Sequence, residues 1–570
     1  MVYRTHILML DDDSLLQIFS QYQLQHEENW NLRIMWRKPA HVCRRWRHII
    51  YNSCSYLDMR LILRNNSPLI DTLSHLPPLP LVIDYSDKTG TITRKDEDNV
   101  HVGLQRHGRV LRVALRAPSS SLRMWLKPMN KLFPRLGDLS LFSTTTEEAY
   151  LILPETLQAP KLRHLALHGI ALPMGLPLLS SAIALSTLSL THIGASCYFP
   201  PGHLVSQLRG LPHLEELSIG FATPLPLPSA ELRTIHLPIP PVTLPTLKRF
   251  TFRGVGFYLD NLVAQVNAPL LERLSLTLFF QLDFTLVNLT EFTHRIEGFR
   301  CLISRVNFDK DGVSLDADHS ESQGIGKLSL RVNCEPLDWQ IDSATQVCSA
   351  LGNVLSAVEK LTLDLDMDGM PSDWENTIDD NVDKLGLSQW HELLRQFLGV
   401  KKLHIGSSLT LELSEALGSV VGESVLELLP ELEELEVHLE ADRARKAFSE
   451  FVKNRESVRH PVRLLAAPIS QADPRVPCAE LEACADPEVP EVPCADPGVP
   501  CADPEVSCTN PEVARAYSEV HHIRDAKPFL KYMKYVGRTY RNQSMGLISI
   551  CRTLLQAENQ TFHSYYELRR

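Results

Sequence analysis

The sequence predicts an α/β chain. A small N-terminal three-helix unit is followed by an irregular array of short parallel strands with helices outside, a Pro-rich linker and a short helical tail. Three observations predict this. Apolar residues fall at helical spacing between residues 8 and 62. An apolar triplet, spaced three and then two residues, returns twelve times from Val110 onward. From Pro461 the composition shifts to Pro, Asp, Glu and Cys with few large apolar side chains. The expected boundaries are 1–62 for the helical unit, 63–109 for a connecting segment, 110–465 for the array, 466–513 for the linker and 514–570 for the tail.

The chain of 570 residues is too long for one ordinary domain and rich enough in apolar residues, at 44%, for a large core. A formal charge of −11 argues against nucleic-acid binding by the chain as a whole, since such proteins carry a basic footprint. No basic stretch precedes an apolar run near Met1, and Ile170–Leu190, the nearest approach to a membrane span, is broken by Pro173 and Pro177. The expectation is a soluble intracellular protein, cytoplasmic or nuclear, with no membrane contact. Asn288-Leu289-Thr290 matches a glycosylation acceptor, which without a secretory signal carries no meaning. Seven of the 12 cysteines are scattered singly and read as buried thiols in a reducing compartment.

In the N-terminal unit, Leu10, Leu15, Leu16, Ile18 and Phe19 lie at helical spacing around an acidic start, Asp11-Asp12-Asp13-Ser14. Acids suit a helix N-terminus, and Asp or Ser caps its free N–H groups. A second segment, His41–Ile50, sets Val42, Trp46, Ile49 and Ile50 on one stripe and turns Arg44, Arg45 and Arg47 away, giving an apolar and a basic face. A unit this small leaves some apolar side chains for a partner groove, or these residues form only its own core.

The pattern of Leu10, Leu15, Leu16, Ile18 and Phe19, followed by Val42-Cys43-Arg44-Arg45-Trp46-Arg47, resembles an F-box. Asp11 stands where that family usually has Pro, and the loop from Gln21 to Pro39, with Trp30 and Trp36, is long. The resemblance implies that Leu10, Leu15, Leu16, Ile18, Phe19, Val42, Cys43 and Trp46 dock on the Skp-type adaptor of a cullin ubiquitin ligase. The departures bear on the tightness of that docking.

The triplets begin at Val110/Val113/Leu115 and Leu136/Leu139/Leu141, and continue through Leu162/Leu165/Leu167, Leu185/Leu188/Leu190, Leu214/Leu217/Ile219 and Leu247/Phe250/Phe252. They run on through Leu271/Leu274/Leu276, Ile303/Val306/Phe308, Ile325/Leu328/Leu330, Val358/Leu361/Leu363, Val400/Leu403/Ile405 and Leu432/Leu435/Val437. This is the L-x-x-L-x-L core of a leucine-rich repeat, whose last two apolar positions point inward from a short strand. A Pro shortly before several copies, such as Pro134, Pro160 and Pro245, places a turn there. Segments such as Phe257–Val266 and Gln389–Leu398 read as helices. Together these units predict a solenoid with parallel strands on a concave face. The repeats lack the Asn that usually follows the third apolar position, so their turn carbonyls need other partners.

The stretch from Val42 to Pro461 also resembles a large family of F-box-like proteins of mushroom-forming fungi. The matching words are Leu76-Pro77-Pro78-Leu79-Pro80-Leu81-Val82-Ile83, Ala268-Pro269-Leu270-Leu271, Pro336-Leu337-Asp338-Trp339 and Ser388-Gln389-Trp390-His391-Glu392-Leu393-Leu394. The resemblance implies an F-box with degenerate repeats.

Residues 472–513 carry a near-repeat with Cys494, Cys501 and Cys508 seven apart, without the close Cys pairs of a metal site, and read as an acidic linker. Residues 514–570 alternate Arg524, Lys527, Lys531 and Lys534 with Phe529, Leu530, Met533 and Tyr535, a basic amphipathic helix loosely similar to one paired-amphipathic-helix repeat of corepressors. Gly324–Leu328 fails as a phosphate loop, and no nucleophile, zinc or dinucleotide motif is present. No enzyme, no cofactor and no metal site is expected. Three functions remain: a ligase adaptor that binds the Skp-type subunit and a protein substrate, a ligase-independent scaffold of the same fold, or a corepressor-like nuclear protein acting through its tail.

Overall fold

The computed structural model describes residues 10–24, 37–53, 56–57, 59–65, 78–86, 92–145, 151–173, 175, 177–224, 241–296, 298–319, 326–367, 383–419, 427–437 and 442–466. They belong to one compact unit, 1–225 with 235–469; the second unit, 226–234 with 470–570, lies outside them. So do the expected Cys/Pro linker after residue 466, the basic tail, Ile325, and Trp30 and Trp36.

The chain is α/β, built on a large and mostly parallel sheet. Three helices come first: α1 (Asp12–Leu24), α2 (Arg37–Ala40) and α3 (Arg44–Asn52). The strands follow as β1 (Leu61–Leu63), β2 (Leu81–Ser86), β3 (Val110–Ala117), β4 (Asp138–Ser143), β5 (Leu151–Ile152), β6 (His164–His168), β7 (Ile170–Ala171), β8 (Thr187–Ile193), β9 (Glu216–Phe221) and β10 (Val242–Thr243). After them come β11 (Arg249–Gly254), β12 (Val266–Asn267), β13 (Arg273–Phe279), β14 (Ile303–Asp309), β15 (Gly312–Asp318), β16 (Lys327–Asn333), β17 (Lys360–Leu365), β18 (Lys402–Ile405), β19 (Glu434–Val437) and β20 (Arg463–Ala466). Sixteen strands form one sheet in the order β1-β2-β3-β4-β6-β8-β9-β11-β13-β16-β15-β14-β17-β18-β19-β20. That order is consistent with a solenoid-like α/β fold. The short pairs β5–β7 and β10–β12 form separate two-stranded ladders.

Each repeated triplet marks its own strand. Its last two residues point inward and stack in register along the sheet, Leu139, Leu165, Leu188, Leu217, Phe250, Leu274 and Leu328 in one row. All seven are buried. Each such side chain removed from water contributes about 1.5–3 kcal/mol, so the sheet is held chiefly by these rows. The first residue of a triplet closes the turn before the strand: Leu136, Leu162, Leu185, Leu214, Leu247 and Leu271 each donate a backbone N–H three residues back.

Neighbouring turns are tied to one another by main chain. Gly137 N donates to Leu111 O, Arg163 N to Gly137 O, Ser186 N to Arg163 O and Glu215 N to Ser186 O, each at 2.8 Å. After β3 and β4, three hydroxyl-bearing side chains form a local cluster. Ser119 Oγ meets Ser143 Oγ at 3.0 Å and Thr145 Oγ1 at 2.5 Å, and Ser143 Oγ donates to Thr145 O at 3.1 Å.

Three expectations are corrected. The sheet begins before Val110, because β1 and β2 pair in parallel with each other and with β3, so the 63–109 segment contributes strand and the helix Arg94–Gln105 rather than only a connection. The helical reading to residue 62 likewise ends earlier, at Asn52 with β1 opening at Leu61. The array is also not parallel throughout. β16 lies beside β13, β14 beside β17, and the antiparallel β15 fills the space between them. A two-residue turn joins Asp309 to Gly312, too short for a crossover, so β15 must run back along β14. At Gly312 any Cβ would collide with the carbonyl oxygen of Val332.

Candidate interaction surfaces

The N-terminal unit is closed by side chains from α3. Arg45 donates to Asp12 Oδ1 through Nε (2.9 Å) and Nη2 (2.7 Å) and to Leu10 O (2.6 Å). Arg47 Nε donates to Ala40 O at 3.0 Å. Arg44 and Arg45 are exposed and Arg47 is half-buried, and the guanidinium groups of Arg45 and Arg47 also hold the unit together. Asp11 stands where the resembled family has Pro, and its carboxylate caps α1, accepting Ser14 N at 2.7 Å. That hydrogen bond holds its carboxyl below the usual carboxylate range. Cys43 caps α3, its Sγ accepting Trp46 N at 3.5 Å.

The predicted docking residues divide by burial. Leu15 and Phe19 are buried, and Phe19 meets Trp46 edge to face at 5.0 Å. Leu10, Leu16 and Trp46 are half-buried against the same core, and Cys43 is half-buried. Ile18 and Val42 are exposed, at 44% and 62%. The structure thus brings six of the eight into the unit's own packing and leaves two apolar side chains facing water. An exposed pair of this kind is available to a partner without unfolding anything.

The second surface is the side of the sheet opposite the buried leucines. Across the eight strands β3, β4, β6, β8, β9, β11, β13 and β16, residues in register form rows on this face. The middle row is small throughout: Ala114, Ser140, Ala166, Ser189, Ser218, Thr251, Ser275 and Ser329. The flanking rows are larger and mostly basic from β11 to β16, with Arg249, Arg253, Arg273 and Lys327 all exposed. Arg249 pairs with Glu216 on the next strand. Beyond β16 the charge is mixed, since the same face of β15, β14, β17, β18 and β19 carries Asp316, Asp318, Asp364 and Glu436 together with Arg305, Lys360 and Lys402.

One flanking row is a continuous stack of planar groups. The Arg116 guanidinium lies 4.3 Å over the Phe142 ring, Phe142 stacks on His168 at 3.9 Å and 4°, and His168 stacks on His192 at 4.9 Å and 16°. His192 sits at the register shift between β8 and β9 with φ of 55°. Thr191 Oγ1 lies 3.1 Å from His168 Nδ1 and 3.4 Å from Leu167 O, within hydrogen-bond reach of both. Burial, with His192 and Arg116 close by, pushes the His168 pKa down to about 4. The ring is therefore neutral at pH 7 and stacks without repelling Arg116. Sequence reasoning missed this row, although Arg116, Phe142 and His168 occupy the outward position just after the triplets, following Leu115, Leu141 and Leu167.

Among the described residues, no group of three or more His, Cys, Asp or Glu is placed to hold a metal ion. No helix among them is long and apolar enough to cross a membrane. Cys301, Cys334 and Cys348 are buried, and burial pushes each thiol up to about 12. The Asn288 side chain is half-buried and donates to Asp260 Oδ2 at 2.7 Å, while Leu289 N donates to Asp260 Oδ1 at 3.0 Å. Asp260 thus ties the helix Gly256–Val263 to the start of the helix Val287–His294. The chain matches no family model and no curated protein.

Proposed function

We propose that this chain is a non-catalytic recognition subunit, the substrate adaptor of a Skp-cullin-F-box type ubiquitin ligase. In this reading the N-terminal helices bind the Skp-type adaptor, and the outward face of the repeat-bearing sheet, the concave face of a leucine-rich-repeat solenoid, binds a protein to be ubiquitinated. The ligase chemistry belongs to the partner enzymes. The subunit acts by holding a substrate lysine close to the loaded enzyme, which raises its effective concentration.

The observation that carries the reading is the exposure of Ile18 and Val42 on a three-helix unit that runs directly into the sheet. The F-box-like spacing of Leu10, Leu15, Leu16, Ile18 and Phe19 adds to it. The test is co-purification of the full chain with the Skp-type adaptor, comparing wild type with an Ile18→Asp/Val42→Asp variant. Both sites face water, so the variant keeps its fold. Retention by wild type and loss by the variant is the expected result. A folded wild-type chain that retains no adaptor removes the ligase role.

A second reading, a ligase-independent scaffold of the same fold, draws on the same burial pattern. Only two of the eight expected docking residues are exposed, which is a small apolar patch for a stable interface. The corepressor-like reading depends on residues 514–570, outside the described residues.

A further inference from the structure

We propose that the outward face of β3 to β16 binds an extended, acidic peptide segment lying across the strands. The inference deepens the recognition role proposed above and rests on that reading for its biological setting, but its physical basis is separate.

The first part of that basis is shape. The middle row of small side chains forms a trough between two rows that are mostly larger, one of them opened by Gly220 on β9. At about 4.8 Å between strands, the eight strands span about 34 Å, which an extended chain at about 3.3 Å per residue covers with about ten residues. Serines and threonines along the floor offer hydroxyl donors and acceptors to a peptide main chain without filling the space it needs.

The second part is charge. The protein is acidic overall, at −11, yet this face is basic. Arg116 is exposed at one end of the trough, and Arg253, Arg273 and Lys327 are exposed toward the other. Arg253 lies 5.6 Å over the ring of Phe279, and Arg116 lies 4.3 Å over that of Phe142. Stacked guanidinium groups lose little rotamer freedom when a carboxylate arrives, and each presents a two-pronged donor that matches it. Past β16 the basic run ends, because Asp316 lies beside Arg305 and Asp318 beside Lys327, so cations and carboxylates alternate there. A long uniform polyanion such as RNA or DNA meets no continuous basic surface past β16, whereas a short acidic segment confined to β3–β16 lies on the basic part alone.

The test uses the full chain and a fluorescein-labelled peptide of about twelve residues, Glu alternating with Gly, with a Gln/Gly peptide as its uncharged twin. Fluorescence anisotropy is expected to show binding of the Glu peptide that weakens with added salt, and binding of the Gln peptide at least about tenfold weaker. An Arg116→Glu/Arg253→Glu/Arg273→Glu variant is expected to lose at least about tenfold in affinity, and an Asp364→Lys/Glu436→Lys variant to lose none. Equal binding of the two peptides overturns the proposal on the wild-type chain alone, whatever the variants do. So does a triple variant that melts like wild type and binds like it, or a single-stranded oligonucleotide that binds more tightly than the Glu peptide. The same preparations are assayed for retention of the Skp-type adaptor. Retention without peptide binding removes the acidic-segment proposal and leaves the adaptor reading. Peptide binding without retention supports the docking face and removes the ligase role.

Discussion

Arg331 on β16 reaches past the antiparallel β15 to hold both carboxylate oxygens of Asp309, at the end of β14, at 2.9 and 3.0 Å. Gln340 adds a second clasp at the same place, its Nε2 donating to the carbonyl oxygens of Asp309 (2.8 Å), Cys334 (3.0 Å) and Glu335 (3.0 Å). The antiparallel strand found among the described residues of the main sheet is thus locked where the chain turns.

Asp309→Asn is expected to cost about 1–2 kcal/mol, the lower end for a charged bidentate pair because Arg331 remains about a third exposed. Burial opposes the Asp309 charge, but hydrogen bonds from Arg331 and from Asp311 N outweigh it and hold its carboxyl below the usual carboxylate range. A depressed carboxyl contributes stability above its unfolded pKa, and that contribution is lost as pH falls through the folded value. Urea melts of wild type and variant should therefore converge as pH drops below about 4. A gap that stays constant down to that pH would mean that the ion pair is not its source.

Arg455, fully buried in the helix Asp442–Ser457, donates through Nη2 to Pro430 O (3.1 Å) and Leu432 O (3.3 Å). Arg455→Ala leaves those carbonyls without that donor and opens a cavity. A loss of about 2–4 kcal/mol is expected in chemical denaturation. A loss below about 0.5 kcal/mol would contradict the structural role given to this guanidinium.

His168 supplies a pH dependence of the opposite origin. Its folded pKa of about 4 lies below the unfolded value, so between about 6.5 and 4 the unfolded chain takes up a proton that the native ring refuses. Its contribution to stability falls as pH falls across that window and levels off below it. His168→Phe keeps the stack and removes the titration. The melting temperature of the variant should drop less than that of wild type between pH 7 and pH 4; parallel curves would assign the dependence to other groups.

The thiols of Cys301, Cys334 and Cys348 should resist alkylation in the native protein at pH 8, since burial pushes each up to about 12. Mass-spectrometric mapping after brief maleimide treatment is expected to find these three unmodified until denaturant is added. Rapid native labelling of any of them would place it at the surface.

In the N-terminal unit, burial separates residues that sequence alone treats alike. Leu15→Asp puts a charge into a closed core and should unfold the helices, at a cost above about 3 kcal/mol. Ile18→Asp should change stability by no more than about 0.5 kcal/mol. Equal effects at the two positions would mean that α1 faces its core differently.

Much of the fold is legible because it is written in short-range spacing. Leu139 and Leu141, or Leu274 and Leu276, lie two apart on one strand, and alternation alone directs both inward. The start of the sheet was not legible, because in β1 Asp58 stands where the triplet's leading apolar residue would precede Leu61 and Leu63, and before β2 the Leu76/Leu79/Leu81 spacing is crowded by Pro77, Pro78 and Pro80. The stacked row from Arg116 to His192 was hidden for a different reason. Its members are scattered along the chain and meet only because lateral strand pairing sets them side by side.

The sequence by itself determined the strands that carry a triplet and which of their side chains face inward, since both follow from local periodicity and the removal of apolar surface from water. Tertiary structure alone decided which strand sits beside which. Leu274 packs beside Leu328 rather than Val306, although both carry the same local pattern. The two-residue turn after Asp309 and the clasp by Arg331 and Gln340 make that choice, and strand order in turn sets the charge on the outer face. Pairing is a relation between distant segments, and no spacing within one segment encodes it.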